Sequence, residues 1–110
     1  MKVFVCESLV DRKDPDRVEK RERFTKSWQL VHATDKIEFV DGWGGDYSGC
    51  GIEPLCRALT AVEECDIIVF LTGWHKDRHC RRIEEIAALL HPKKCLYYDL
   101  EFNPRQSKDI

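Results

Sequence analysis

Short, continuously apolar runs alternate along the chain with longer segments in which apolar residues recur every three or four positions. The runs are rich in β-branched and aromatic residues and are bounded by polar ones, which predicts strands. The spacing in the longer segments predicts helices with one buried face. The predicted strands cover residues 2–6, 36–40, 66–72 and 95–98, and the predicted helices cover residues 15–33, 53–64 and 79–90.

The order of these elements is β-α-β-α-β-α-β. Such alternation predicts an α/β fold with a four-stranded parallel sheet, right-handed crossovers and helices on both faces. We therefore expect a small Rossmann-like or flavodoxin-like three-layer sandwich with three main helices. Residues 1–100 would form this single domain, and residues 101–110 would form a polar tail. Ligands of such sheets bind outside the carboxyl ends of the strands.

Charge and composition narrow the function classes. The 110 residues carry 18 basic and 20 acidic side chains, so the net charge is −2. That balance argues against a dedicated nucleic-acid binder, which shows a basic excess. No apolar run reaches the ~18 residues of a membrane span. The apolar run at the start of the chain ends at Glu7 and is too short for the hydrophobic region of a secretory signal, so we expect a cytoplasmic protein. The six cysteines form no C-x-x-C pair, and we interpret most of them as buried free thiols.

A glycine-rich segment, residues 41–51, holds five of the six glycines and predicts a loop. It lacks the spacing of both common phosphate-binding motifs, G-x-x-x-x-G-K-[ST] and G-x-G-x-x-G. Trp43 and Tyr47 in this loop are candidates for stacking on a base. Packing of the same two rings on the second helix is the alternative.

The start of the third helix is rich in histidine and in basic residues. His75, His79 and Cys80 lack a fourth ligand at fixed spacing, so we expect no metal and no other cofactor. Lys76, Arg78, Arg81 and Arg82 either favour an anion at the helix N-terminus or form a solvated face. The interleaved charges of residues 12–23 are interpreted as a salt-bridged solvent face.

Residues 64–90 carry the most specific pattern. Cys65-Asp66 opens a strand, Gly73-Trp74 follows it, and a helix with Glu and Ala comes next. This pattern resembles the nucleoside 2-deoxyribosyltransferase superfamily, and more closely a family of small phage and bacterial domains of unassigned function. The resemblance covers residues 53–98, and in the first half of the chain it extends to the order of elements alone. It implies the strand order 2-1-3-4, a nucleoside or nucleotide ligand and a homodimer or larger assembly.

The transferases resembled here use a helix-borne Glu to attack the anomeric carbon of a deoxyribose. One alignment puts Ile83 in that position and Glu85 at a second Glu, whereas a one-residue deletion puts Glu84 there. Helical phase favours Glu84, which flanks the apolar face, over Glu85, which points away from it. Asp77 is a candidate to hold a sugar hydroxyl or share a proton with Glu84, or else to cap the helix. Helix glutamates paired with Arg81 and Arg82 are the alternative to a catalytic role.

Two positions depart from the pattern of the transferases. Glu7-Ser8 stands where they have Gly-Pro, and His79-Cys80 stands where they have Gly-Ala. The residues expected to line a ligand are Glu7, Ser8, Trp43, Tyr47, Gly73, Trp74 and His79.

Two functions stay open. One is a nucleoside- or nucleotide-binding domain that cleaves or transfers at an N-glycosidic bond, and the other is a non-enzymatic phage or bacterial accessory protein that binds a partner or small ligand.

Overall fold

Four parallel strands form one sheet in the order β2-β1-β3-β4, as predicted. The computed structural model describes residues 1–32, 36–42 and 51–99. Because all four strands run in the same direction, their carboxyl ends lie along one edge of the sheet. The strands are β1 (Lys2–Cys6), β2 (Glu38–Asp41), β3 (Ile67–Leu71) and β4 (Cys95–Tyr98).

Three long helices connect the strands, and a short fourth helix follows β1. The helices are α1 (Leu9–Lys13), α2 (Pro15–Val31), α3 (Ile52–Glu64) and α4 (Arg78–Leu90), with 3-10 turns at Trp74–Lys76 and Pro92–Lys94. Their bounds lie within two residues of the predicted ones wherever the structure describes both ends. Asp14 caps α2 by accepting a hydrogen bond from the Asp16 N–H at 3.0 Å, and Pro15 is its first residue, as predicted.

Helix α1 was not predicted. Its five residues include only two apolar ones, which is too short a stretch for helical periodicity to show. The local signal is Ser8, whose hydroxyl accepts a hydrogen bond from the Asp11 N–H at 3.3 Å and so caps the helix.

The sheet is buried on both faces, which explains the continuous apolar runs of β1 and β3. One face packs against α2 through Val3, Val5, Val69 and Leu71 of the strands and Phe24 and Trp28 of the helix. The other packs against α3 and α4 through Phe4, Cys6, Ile68 and Phe70 of the strands and Ala58, Val62, Ile83 and Ala87 of the helices. The fold is therefore a three-layer α/β/α sandwich.

Asp66, from the Cys-Asp motif, lies at the amino end of the sheet. Its carboxylate accepts a hydrogen bond from the Lys2 N–H, and its own N–H donates to the Lys2 carbonyl, both at 2.9 Å. Asp66 therefore joins the starts of β1 and β3, at the edge opposite to the carboxyl ends of the strands. The predicted tail, residues 101–110, lies outside the described residues. None of the helices within the described ranges is long and apolar enough to cross a membrane.

Candidate functional site

Glu7 follows β1 directly and is 2% exposed. Its carboxylate accepts a short hydrogen bond from Arg21, and Arg17 lies 3.7 Å from its other oxygen. Both arginines come from α2, and both are only 15% exposed. The interpretation of residues 12–23 as a solvent face is therefore wrong for Arg17 and Arg21, which recur at helical spacing with Phe24 and Trp28 and point toward the sheet.

Burial decides the protonation behaviour of Glu7. Removal of water from around the carboxylate raises its pKa above the usual 4.5, and the positive charges of Arg21 and Arg17 offset part of that rise. A buried carboxylate with a raised pKa is a common mark of a functional site.

The space between the ends of β1 and β3 is filled by α1. The Ser8 hydroxyl donates to the Asp11 carboxylate at 2.8 Å, and the Leu9 N–H donates to Asp77 at 3.3 Å. Asp11 packs so closely on Gly73 that a Cβ there would lie 2.3 Å from the Asp11 Oδ2 atom. Ser8, Gly73 and Asp77 thus come together at the carboxyl ends of β1 and β3, where, among the described residues, they contact α1 rather than line an open cleft.

Asp77 is the N-cap of α4. Its carboxylate accepts from the His79 N–H at 2.9 Å in addition to the Leu9 N–H. Glu84 lies seven residues further along the helix, about 10 Å away along its axis at ~1.5 Å per residue. The two carboxylates are therefore not placed to share a proton.

Glu84 and Glu85 lie in different surroundings. Glu84 is half-buried and accepts a hydrogen bond from the Tyr97 hydroxyl of β4 at 2.8 Å. Glu85 is exposed and pairs with Arg82 at 2.9 Å. Ile83, the residue that one alignment puts in the nucleophile position, is fully buried in the core. Helical phase alone therefore predicts correctly that Ile83 is buried, that Glu84 flanks the apolar face and that Glu85 points to solvent.

His79 and Trp74 are buried as well. The His79 Nε2 atom lies 3.3 Å from the Gly42 carbonyl, and Trp74 packs with its ring 5.4 Å from that of Phe70. Both therefore contribute to packing around the start of α4. Trp43 and Tyr47, the two candidates for stacking, lie outside the described residues.

The sulfur chemistry of the described residues is that of free thiols. Cys6, Cys56, Cys65, Cys80 and Cys95 form no disulfide. Burial raises the pKa of Cys6 well above its usual value and the pKa of Cys95 to about 11, so neither is an activated nucleophile. Within residues 1–32, 36–42 and 51–99, no three His, Cys, Asp or Glu side chains are placed to hold a metal ion.

A groove of about 190 Å³ opens at the carboxyl ends of β1 and β2, on the α2 face of the sheet. It lies between α2 and β2. Arg17 and Phe24 of α2 also reach the other side of the sheet, where Arg17 donates to the Thr72 carbonyl at 2.6 Å and Phe24 packs 5.7 Å from Tyr98. The groove is lined by Val5, Glu7, Arg12, Arg21, Glu22, Thr25, Phe39, Val40 and Asp41.

Sequence reasoning identified Glu7 but missed the rest of this groove. The missed signal is that Arg17 and Arg21 lie on the same helical face as Phe24 and Trp28. Because that face packs on the sheet, the two arginines need buried partners of opposite charge. A second cavity of about 190 Å³ lies near the predicted anion site, between the first turns of α3 and α4. Arg78 and Arg82 line it, and Arg82 is paired with Glu85.

Searches against known protein families, curated proteins and solved structures find no match to this chain.

Proposed function

We propose that this chain is a nucleoside-binding domain that holds its ligand in the groove between α2 and β2 and does not cleave it. The observation that carries the proposal is the groove itself, which combines an apolar wall with a buried carboxylate–guanidinium pair. Ligand sites are typically apolar cavities with a few convergent polar groups, one of them with a perturbed pKa. The deoxyribosyltransferase-like pattern of residues 64–90 supports a nucleoside as the ligand.

The size of the groove fits one ring system. Its volume of about 190 Å³ is smaller than the ~300–1,000 Å³ of sites for drug-sized ligands. A base fits within that volume, and the sugar of a nucleoside extends through the open side. Phe39 and Val5 provide the apolar contact, and Thr25 adds a hydroxyl from α2.

Binding without cleavage is supported by what surrounds the candidate catalytic residues. Asp77 caps α4 and bonds to α1, Glu85 pairs with Arg82 in solvent, and Ile83 is buried in the core. None of these three lines the groove.

Titration calorimetry with the four common deoxynucleosides tests the proposal. We expect at least one of them to bind to the wild type and to the control Lys26→Trp, which places a ring on an exposed position of α2. Thr25→Trp fills the groove and should abolish binding. Equal binding by Thr25→Trp and the wild type would contradict this location, and no binding of any deoxynucleoside would contradict the function.

Glycosidic cleavage through Glu84 is the second candidate, favoured by the half-buried Glu84–Tyr97 pair. It predicts release of free base from a deoxynucleoside, which chromatography detects. Glu84→Gln would abolish that release, whereas Glu85→Gln would not. We expect no release by the wild type.

A further inference from the structure

Burial divides the groove into an inner end and a rim. Val5, Glu7 and Arg21 at the inner end are 8%, 2% and 15% exposed. Arg12 and Asp41 at the rim are 27% and 30% exposed, and Glu22 is exposed. A ligand that enters the groove therefore loses most of its water at the Glu7–Arg21 pair and keeps most of it at the rim.

The inner end offers both kinds of hydrogen-bonding group. A carboxylate has about four acceptor positions, and a guanidinium has five N–H donors. Among the described residues, Arg21 makes one bond, to Glu7, and so retains donors for a ligand. A ring edge with an N–H beside a carbonyl matches this pair, because the N–H donates to Glu7 and the carbonyl accepts from Arg21. A sugar hydroxyl lacks the fixed planar edge that uses both groups at once.

The charged side chains at the rim disfavour an anionic ligand. Arg12 donates to the Asp41 carboxylate through Nε and Nη2, at 3.1 and 2.8 Å, so its charge is matched. The lining as a whole has two arginines and three carboxylates, with Glu22 as the carboxylate that no described residue neutralises. A phosphate at the rim would therefore meet a net negative wall, and like charges repel there.

We infer that the groove selects an unphosphorylated heterocycle, which enters ring first so that an edge with N–H and carbonyl groups meets Glu7 and Arg21. The inference rests on the proposed function and adds the orientation and the charge of the ligand to it. In this orientation the sugar lies at the rim, and a 5′-phosphate lies beside Glu22 and Asp41. The matching bases are those with a lactam or imide edge, such as guanine, thymine and uracil.

The test compares four forms of one lactam-bearing ligand by calorimetry: deoxyguanosine, guanine, deoxyguanosine 5′-monophosphate and deoxyribose. We expect the nucleoside and the free base to bind alike and the sugar not to bind. The monophosphate should bind about two- to fivefold more weakly, the size of one unfavourable exposed charge contact. Deoxyadenosine, adenine and deoxyadenosine 5′-monophosphate test the preference for a ring edge with an N–H beside a carbonyl, which adenine lacks.

Glu22→Lys provides the internal check, since it reverses the charge at the rim without touching the inner end. It should raise the affinity for the monophosphate, relative to the affinity for the nucleoside, about five- to tenfold. Glu19→Lys makes the same charge change at an exposed position of α2 outside the groove and should alter neither affinity.

The outcomes separate the two proposals. Equal or tighter binding of the monophosphate by the wild type, or binding of deoxyribose without the base, would overturn the inference while nucleoside binding still stands. Weaker binding of guanine than of adenine forms would overturn the edge assignment. If neither nucleosides nor bases bind, the proposed function and the inference both fall.

Discussion

Glu7 shows how a residue near a strand end acquires its role from distant parts of the chain. Its position after β1 predicted a place at the carboxyl edge, and the structure puts it there. Its partners could not be read from local sequence, because Arg17 and Arg21 reach it only once α2 has folded back over the sheet. Glu84 and Glu85 behave similarly: helical phase predicted their orientation, but their contacts with Tyr97 and Arg82 depended on tertiary packing or on rotamers.

Glu7→Ala should destabilise the fold by about 3 kcal/mol, because removal of one partner leaves two largely buried guanidinium groups without their carboxylate. Urea unfolding at pH 7 measures the change. Glu85→Ala is the matched control: its exposed pair with Arg82 should be worth less than about 1 kcal/mol. Equal losses for the two variants would show that the Glu7 pair is not buried in solution.

The raised pKa of Glu7 makes a prediction about pH. A group whose pKa is higher in the folded than in the unfolded state stabilises the fold at low pH, and that contribution is lost as pH rises through the folded pKa. The stability of the wild type relative to Glu7→Gln should therefore fall as the pH rises above the usual carboxyl pKa of 4.5. A difference that grows with pH would mean that the arginines outweigh desolvation.

At the scale of elements, α1 is the feature that changes the site. Alternating strands and helices were predicted because each is long enough for its apolar period to show. Helix α1 is held instead by polar contacts with distant residues: Asp11 lies 3.8 Å from Arg17 and 3.6 Å from Lys76, and Arg12 pairs with Asp41. Such contacts leave no periodic signal, so the closure of the space between β1 and β3 could not be predicted.

Gly73→Ala tests the docking of α1. Gly73 has φ +92°, where an L-residue costs about 1–2 kcal/mol, and the added Cβ would also collide with Asp11. We expect a loss in the free energy of unfolding that exceeds this backbone cost. The double variant with Asp11→Ala should show a smaller loss from Gly73→Ala than the wild-type background does. Additive losses would mean that α1 does not pack on Gly73.

At the scale of the whole molecule, the sheet order and the three layers followed from alternation, handedness and the resemblance. The groove did not, because it depends on how α2 packs across the sheet, and the contacts of Arg17, Phe24 and Trp28 with distant residues decide that packing together. The implied homodimer stays a prediction, and sedimentation at tens of micromolar decides it.

A ligand that fits the groove would contact both α2 and β2. Because it would bind the folded state alone, it would stabilise the fold by mass action.

Nucleoside binding in the groove is tested most directly by a map of backbone amide NMR shifts while deoxyguanosine is added to the protein. We expect the shifts to concentrate on the groove, at Val5, Glu7, Arg21, Thr25 and Phe39, with no free guanine formed during the titration. Shifts concentrated instead around Glu84 and Tyr97, with release of guanine, would contradict it.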